Sequence, residues 1–357
     1  MKKLYQSVLL ILVICIGLFG IKYQVEHTQG LTGDKVIHFF NWGDYINPEL
    51  IGEFEEETGY KVVYETFDSN EAMLAKIKQG GTSYDVAVPS EYMIQTMIHE
   101  NMLNTLDYSK LDNIRHIDER FLNMPFDPNN RYSIPYFWGT LGILYNTKFV
   151  DEEELQTWND LWNPKFKNNI LMYDGARETL GIGLQSQGYS LNETNTDALL
   201  QATQKMKQLM PNIRAIVADE IKMYMAKNEA AIAVTFSGEA STALDENEDL
   251  AYTIPKEGSN IWFDNIVIPK TADNLDGAYA LINFLLRPDI AARNAEYIGY
   301  ATPNKDAKEL IDPEITSNKS FYPDDDLISR LEAYKGLSRE KNNQFNDLFL
   351  EIKIENK

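Results

Sequence analysis

A single cysteine, Cys15, stands in the 357 residues, inside an apolar N-terminal stretch. The folded part therefore holds no disulfide and no thiol chemistry. Histidine is nearly as scarce. His27, His38, His99 and His116 have no ligand-like spacing, which argues against zinc. No G-x-x-x-x-G-K-S/T loop occurs, so the chain does not hydrolyse ATP by that route, and no G-x-S-x-G elbow occurs. Positive charge is also short. Lys and Arg number 33 against 54 Asp and Glu, a formal charge of −21. That balance argues against a nucleic-acid partner, which calls for a basic face. It suits a cationic ligand, although acidity also serves solubility. Carboxylate pairs are common in so acidic a chain, so composition alone does not exclude a glycosidase.

What is present is an ordinary globular composition, 44% hydrophobic, in a chain long enough for two domains. Residues 1–30 form a targeting element. Lys2 and Lys3 precede an apolar run from Val8 to Ile21. Roughly 17 or more residues can be gathered from Leu4 to Ile21, enough for a spanning helix if Gln6 and Ser7 are tolerated. No small-x-small cleavage site follows. An uncleaved membrane anchor is the first expectation and lipidation at Cys15 the second. Both place the remainder outside the cytoplasm.

Strand and helix alternate from Val36 onward. Val36 to Phe40 reads as a buried strand, and Asn47-Pro48 as an N-cap with an N1 proline. Leu50, Ile51 and Phe54 follow at helical spacing, and Gly59 closes the helix. Val62 to Thr66 is a second strand. Ser69 caps a helix carrying Ala72, Met73, Leu74 and Ile77, which ends at Gly80-Gly81. Val86 to Val88 is a third strand, stopped by Pro89. This βαβαβ order predicts a parallel sheet with helices on its faces and a site at the strands' carboxyl ends. Trp42, Gly43 and Tyr45 then follow strand one, and Ser90 and Tyr92 follow strand three.

Further on, Ile170 to Met172 reads as a strand leading through Asp174-Gly175-Ala176-Arg177-Glu178 into a helix. Ala231 to Phe236 is another strand, followed by Ser237-Gly238-Glu239. Ile266 to Ile268, the helix Ala278 to Leu286 and a second helix over Ile290 to Tyr297 look like a return to the first lobe. The tail from Ile311 reads as helical, with Phe345 to Ile352 packed on the second lobe. There is no internal repeat and no low-complexity linker.

Two segments pair tryptophan with aspartate beside a strand: Asn41-Trp42-Gly43-Asp44-Tyr45 and Ile261-Trp262-Phe263-Asp264-Asn265. Indole faces can cover the carbon chain of an elongated cation while carboxylates take its charged ends. Each candidate also has a plain reading. Trp42 and Tyr45 can be core beneath a loop, and Glu178 beside Arg177 a solvated helix start favoured by the dipole. Glu239 reads as solvated. Tyr136, Phe137 and Trp138 read as packing at a crossover. Helix N-termini at a cleft favour anions, so a cation site there depends on carboxylates such as Glu178 and Asp264.

With these residues in view, the chain resembles the spermidine/putrescine-binding proteins of bacterial ABC importers, the PotD family, in particular the Gram-positive, membrane-attached members. The resemblance runs from about residue 35 to near the end. It rests on Asn41 to Tyr45, Ser69-Asn70-Glu71, Tyr84 to Ser90, Phe126 to Asn130, Ser133 to Tyr136, Asp174 to Glu178, Trp262-Phe263-Asp264, Leu281 to Pro288, and Gly299 to Asn304. It implies an α/β, two-lobed periplasmic-binding-protein fold of type II. Each lobe is then a mainly parallel sheet flanked by helices, with ligand cleft and hinge between. Residues 31–140 with 265–308 form lobe 1, and 141–264 with 309–357 form lobe 2.

By position, the resemblance places Trp42, Tyr45, Ser90 and Tyr92 on one wall. Glu178, Phe236, Trp262 and Asp264 form the other wall and the hinge edge, where acids clamp amines and rings sandwich methylenes. The Gram-negative pattern has a second aspartate where Gly175 stands, a tryptophan at Phe236 and a glutamine at Tyr334. Asp174 or Glu239 is then the acid that compensates. The implied activity is non-catalytic polyamine capture by a monomer, without cofactor or metal, for delivery to ABC permease subunits with a separate ATPase. A different small solute, a carbohydrate hydrolase, or a sensor remain alternatives.

Overall fold

The computed structural model describes residues 33–354, together with Gly17. The expected anchor or lipidation site at 1–30 lies outside the described residues, Gly17 apart. Among the described residues, no helix is long and apolar enough to cross a membrane.

The N-terminal units form as their caps dictate. β1 (Val36–Trp42) leads to α1 (Pro48–Thr58), where the Asn47 side chain accepts from the Glu49 N–H. Gly59 closes α1 at φ +72°, a conformation that glycine adopts without a Cβ penalty. β2 (Lys61–Phe67) leads to α2 (Asn70–Gln79), capped by Ser69. β3 (Val86–Ala87) and α3 (Glu91–His99) complete the unit. β1 pairs in parallel with both β2 and β3.

β4 (Ser133–Asn146) is buried along its whole length. It is followed by β5 (Ile170–Tyr173), α4 (Ala176–Gln185), α5 (Thr196–Leu209), β6 (Ile213–Val217) and α6 (Ile221–Ala226). Then come β7 (Ile232–Phe236), α7 (Ser237–Glu246), β8 (Leu250–Thr253) and β9 (Ile261–Val267). α8 (Leu275–Leu285), α9 (Pro288–Ile298) and, after several single turns, α10 (Arg339–Ile354) end the chain.

One sheet runs β2-β1-β3-β9-β4-β7-β5-β6, with β8 also on β4. β5 pairs in parallel with β6 and β7, whereas β4 and β9 are antiparallel to their neighbours. β4 changes partners along its length. Ser133–Thr140 lie against β9, and Leu141–Asn146 against β7 and β8. Pro135 lacks an N–H, and the register with β9 shifts just after it. Side-chain alternation sends Leu141, Ile143 and Tyr145 into a second core and Leu144 into the first.

The first core joins Ile37, Phe39, Phe54 and Leu281 and continues under α6 and α7. The second joins Trp158, Ile170, Leu184, Met206 and Ile232, with Phe345, Leu348 and Ile352 of α10 packed on it.

The structure corrects two expectations. Trp262 to Asn265 do not follow a strand but lie within β9. The tail from Ile311 is not helical throughout: only α10 is long, and Ile311, Phe321 and Tyr322 join the first core. The strands stay mainly parallel on either side of β4, with β9 returning antiparallel between β3 and β4.

Candidate functional site

Asp264 lies on β9 with its side chain 5% exposed. Tyr45 donates its hydroxyl to Oδ2 at 2.8 Å, and Ser90 donates Oγ–H to Oδ1 at 2.6 Å. Ser90 stands at the N-cap of α3 but makes no side-chain cap bond there, which leaves its hydroxyl for Asp264. Asn70, buried at the start of α2, fixes this arrangement. Its Nδ2 donates to Ser90 Oγ at 3.0 Å and to Tyr92 Oη at 2.9 Å, and its Oδ1 accepts the Ser90 N–H. Burial pushes the Asp264 carboxyl from 3.8 up to about 6, against the pull of the two hydroxyl donors.

Trp262 shares the Asp264 face of β9, two residues earlier. Its partner across the ladder is Gly139, where a Cβ would come within 2.6 Å of the indole. Glycine there lets the ring lie flat over the strand. A row of edge-to-face rings follows. Tyr173 meets Phe236 at 4.7 Å, Phe236 meets Trp262 at 6.2 Å, Trp262 meets Tyr300 at 4.8 Å, and Tyr300 meets Tyr45 at 5.7 Å. The buried indole N–H of Trp262 has no partner.

Glu239 is not the solvated helix-start acid that its sequence suggested. It is half-buried in the first turn of α7, accepts the Tyr300 hydroxyl at 2.7 Å, and is raised by desolvation to about 7.

A second cluster borders the first. Glu178, in the first turn of α4, is partly buried, and desolvation raises its pKa against the pull of its own N–H and of Arg177. The Tyr334 ring is buried beneath the Arg177 guanidinium, 4.3 Å from its centroid. Glu91, the residue after Ser90, is 1% exposed. It accepts the backbone N–H of Phe263 at 3.1 Å and of Tyr334 at 3.2 Å, and burial lifts it to about 8. It thereby ties α3, β9 and the C-terminal segment together.

Three helices, α3, α4 and α7, thus each bring an acid in the first turn to this region. Among the described residues, no ion pair reaches Asp264, Glu91, Glu178 or Glu239. Acids held without a cation beside a row of rings make a seat for a ligand that carries positive charge along an apolar chain.

Of the expected residues, the structure gathers Tyr45, Ser90, Tyr92, Glu178, Phe236, Trp262, Asp264 and Tyr334. Trp42 ends β1 against Phe67 at 4.6 Å, its buried indole N–H also without a partner. Gly43 is exposed in the following turn, with open space where a Cβ would stand. Asp174 stands apart: both of its oxygens meet Lys353 of α10, at 2.7 and 2.9 Å, on a half-exposed surface. Sequence reasoning missed Glu91, Tyr300, Tyr173 and Asn70. Asn70 and Tyr300 lay in segments that carried the resemblance, which was the available signal. Among the described residues, no group of three or more His, Cys, Asp or Glu could hold a metal ion.

Residues 49–323 match the family profile described as bacterial extracellular solute-binding protein. The spermidine/putrescine-binding periplasmic protein of Salmonella typhimurium is 42% identical over 298 residues, 83% of this chain and 86% of that one. The crystal structure of the spermidine/putrescine ABC transporter substrate-binding protein PotD from Streptococcus pneumoniae superposes with a TM-score of 0.82. It is 55% identical, over 90% of this chain and all of that one. A protein from Listeria monocytogenes assigned to a spermidine/putrescine ABC transporter gives a TM-score of 0.85 at 56% identity, covering 90% and 99%. The mixed α/β sheet flanked by helices, the buried acids without an ion pair and these matches agree: the chain belongs to the bacterial extracellular solute-binding proteins, and its relatives there include the spermidine/putrescine-binding proteins.

Proposed function

We propose that this protein captures a polyamine outside the cytoplasm and delivers it to an ABC permease served by a separate ATPase. The observation that carries the reading is the buried Asp264, held by two hydroxyls and no cation, with Trp262, Tyr300 and Phe236 in a row beside it. An ammonium at Asp264 makes a charge-assisted hydrogen bond, stronger than a neutral one. Each ring over an ammonium or its neighbouring methylenes adds about 0.5–2 kcal/mol, and each buried CH₂ roughly 0.8 kcal/mol. After ordering costs, about −8 kcal/mol or better is in reach, a micromolar Kd. The relatives named spermidine/putrescine-binding support the same ligand class.

The ligand lies between lobes that divide on β4 near Thr140/Leu141, where the strand changes partners, and on β9 as the chain returns. Trp42, Tyr45, Ser90 and Tyr92 serve as one wall and Glu178, Phe236, Trp262 and Asp264 as the other wall and the hinge edge, with Asp264 at that edge bonded to Tyr45 and Ser90 and with Tyr334 beside it. The protein acts as a monomer held to the outer face of the membrane through residues 1–30, and closure of the lobes is what the permease recognises. Calorimetric titration of the purified protein, stripped of carried-over ligand by unfolding and refolding, tests the reading. Saturable heat with putrescine, spermidine or spermine and none with glucose supports it. A folded, empty protein that gives no heat with any polyamine refutes it.

A further inference from the structure

We propose that Glu91 is a positioning residue for the polyamine: its carboxylate splices the C-terminal segment onto β9 beside Asp264, and a cation arriving at Asp264 tightens the splice. This rests on the polyamine reading above and deepens it, since Glu91 acts through Asp264 and Tyr334 and not on the ligand itself.

β3 ends at Ala87, and beyond it, among the described residues, no strand covers that edge of β9. Three N–H donors along the edge are satisfied in turn. Asn265 donates to the Pro89 carbonyl at 3.0 Å, Phe263 to Glu91 Oε2 at 3.1 Å, and Ile261 to the Glu332 carbonyl at 3.0 Å. The carboxylate is the middle rung of a ladder whose outer rungs are backbone. Its other oxygen, Oε1, accepts the Tyr334 N–H at 3.2 Å, two residues beyond Glu332. Glu91, Phe263 and Tyr334 are all buried, so a side chain without two acceptors would orphan two buried N–H groups.

The segment 332–337 is also held from its far side. Asn192, between α4 and α5, donates to the Ala333 carbonyl at 2.9 Å and accepts the Lys335 N–H at 2.8 Å, and Leu337 packs on the second core. Gly336 passes over α3, its Cβ position 3.6 Å from the Tyr92 carbonyl. On the proposed division, α3 belongs to the first lobe and this segment to the second. Glu91 is then a first-lobe side chain that grips the hinge strand and the second lobe together.

An acid is a costly splice. The titratable groups facing it are Asp264 on β9, Tyr92 on α3 and Tyr334 on the segment, and none of them supplies positive charge. Arg177 of α4 lies over the Tyr334 ring and meets the Lys335 carbonyl, with Glu178 beside it as a further acid. Burial pushes the Glu91 carboxyl up to about 8; the two N–H donors oppose the rise and the Asp264 charge adds to it. An ammonium on Asp264 offsets that charge and favours ionised Glu91, which turns both N–H contacts into charge-assisted bonds. The bound value lies below the free one, so capture releases the proton at a pH between the two.

The test compares wild type with Glu91→Gln. The amide keeps the shape, accepts one N–H, opposes the other with its own Nε2 hydrogens and cannot ionise. Calorimetry with putrescine at pH 7.5, in buffers of differing ionisation enthalpy, is expected to show binding weakened fivefold or more and roughly half a proton fewer released. A merely structural splice lowers Tm and leaves the proton count alone, so an unchanged count overturns the inference. Hydrogen exchange of wild type, read on a peptide spanning 332–337, needs no variant. At saturating putrescine, exchange is expected to slow fivefold or more at pH 8 and twofold or less at pH 5.5, where Glu91 keeps its proton. Equal slowing at both, or none, overturns the splice while wild-type binding upholds the polyamine reading. Absence of wild-type binding refutes that reading and this inference with it.

Discussion

Replacing Asp264 by Asn separates what the residue does for the ligand from what it costs the fold. Its carboxyl rises from 3.8 to about 6 because burial penalises the charge. For an acid with a raised folded pKa, the penalty is fully present above that pKa and vanishes below the unfolded value. At pH 7 the side chain is mostly ionised, and the rise corresponds to about 3 kcal/mol of destabilisation at 1.4 kcal/mol per pH unit. The amide removes that penalty. It accepts from only one of Tyr45 and Ser90, so the other hydroxyl must turn to accept from Nδ2, a loss of about 1 kcal/mol. The ligand-free variant should therefore be more stable by about 2 kcal/mol, raising Tm by a few degrees. Its polyamine affinity should fall by about 2–5 kcal/mol, roughly 30-fold to several thousand-fold, because a buried ammonium loses its counter-charge. Thermal melts with and without putrescine, paired with calorimetry, read both effects. A variant that melts lower than wild type and binds equally well refutes the reasoning at both points.

Three more expectations can be checked together. Because Asp264, Glu239 and Glu91 sit at about 6, 7 and 8 and a bound polycation favours their charged forms, binding should release protons. Affinity should then strengthen as pH rises from 5.5 to 8 while ligand-free stability declines over the same window; calorimetry in buffers of differing ionisation enthalpy measures the protons, and a flat profile refutes the coupling. Glu239→Gln should weaken polyamine binding by about 1.5–3 kcal/mol, since the amide still accepts from Tyr300 but carries no charge; an unchanged Kd removes Glu239 from the site. Asp174→Asn should leave affinity within twofold and cost at most about 1 kcal/mol of stability, because its partner Lys353 lies on a half-exposed surface; a large affinity loss would return Asp174 to the cleft.

The local signals in the sequence were strong where caps are chemically explicit. Asn47-Pro48, Gly59 and Ser69 marked two helices, and the strands between them had no other reading. The Trp262-to-Asp264 segment was legible as a site but not as a strand. Asp264 interrupts β9 on the face that carries Trp262 and Asn265 follows on the opposite face, so that two adjacent polar residues make the segment look like a loop end. Glu91 and Glu239 were illegible for a different reason. An acid in the first turn of a helix complements the dipole whether it faces water or a cleft, so only tertiary packing separates the two. Asp174 shows the converse, since its partner lies 179 residues away, and no local pattern announces a long-range ion pair.

β4 is one uninterrupted strand of 14 residues, and Trp262 rests on it opposite Gly139, one residue from the place where β4 exchanges β9 for β7. On the proposed reading, in which the lobes divide on β4 and β9, detector and pivot are the same pair of strands. A ligand resting on Trp262 would then act directly on the strands about which the proposed lobes turn. Substitutions at Gly139 are then expected to alter recognition and motion together, because a Cβ there would meet the Trp262 indole at 2.6 Å.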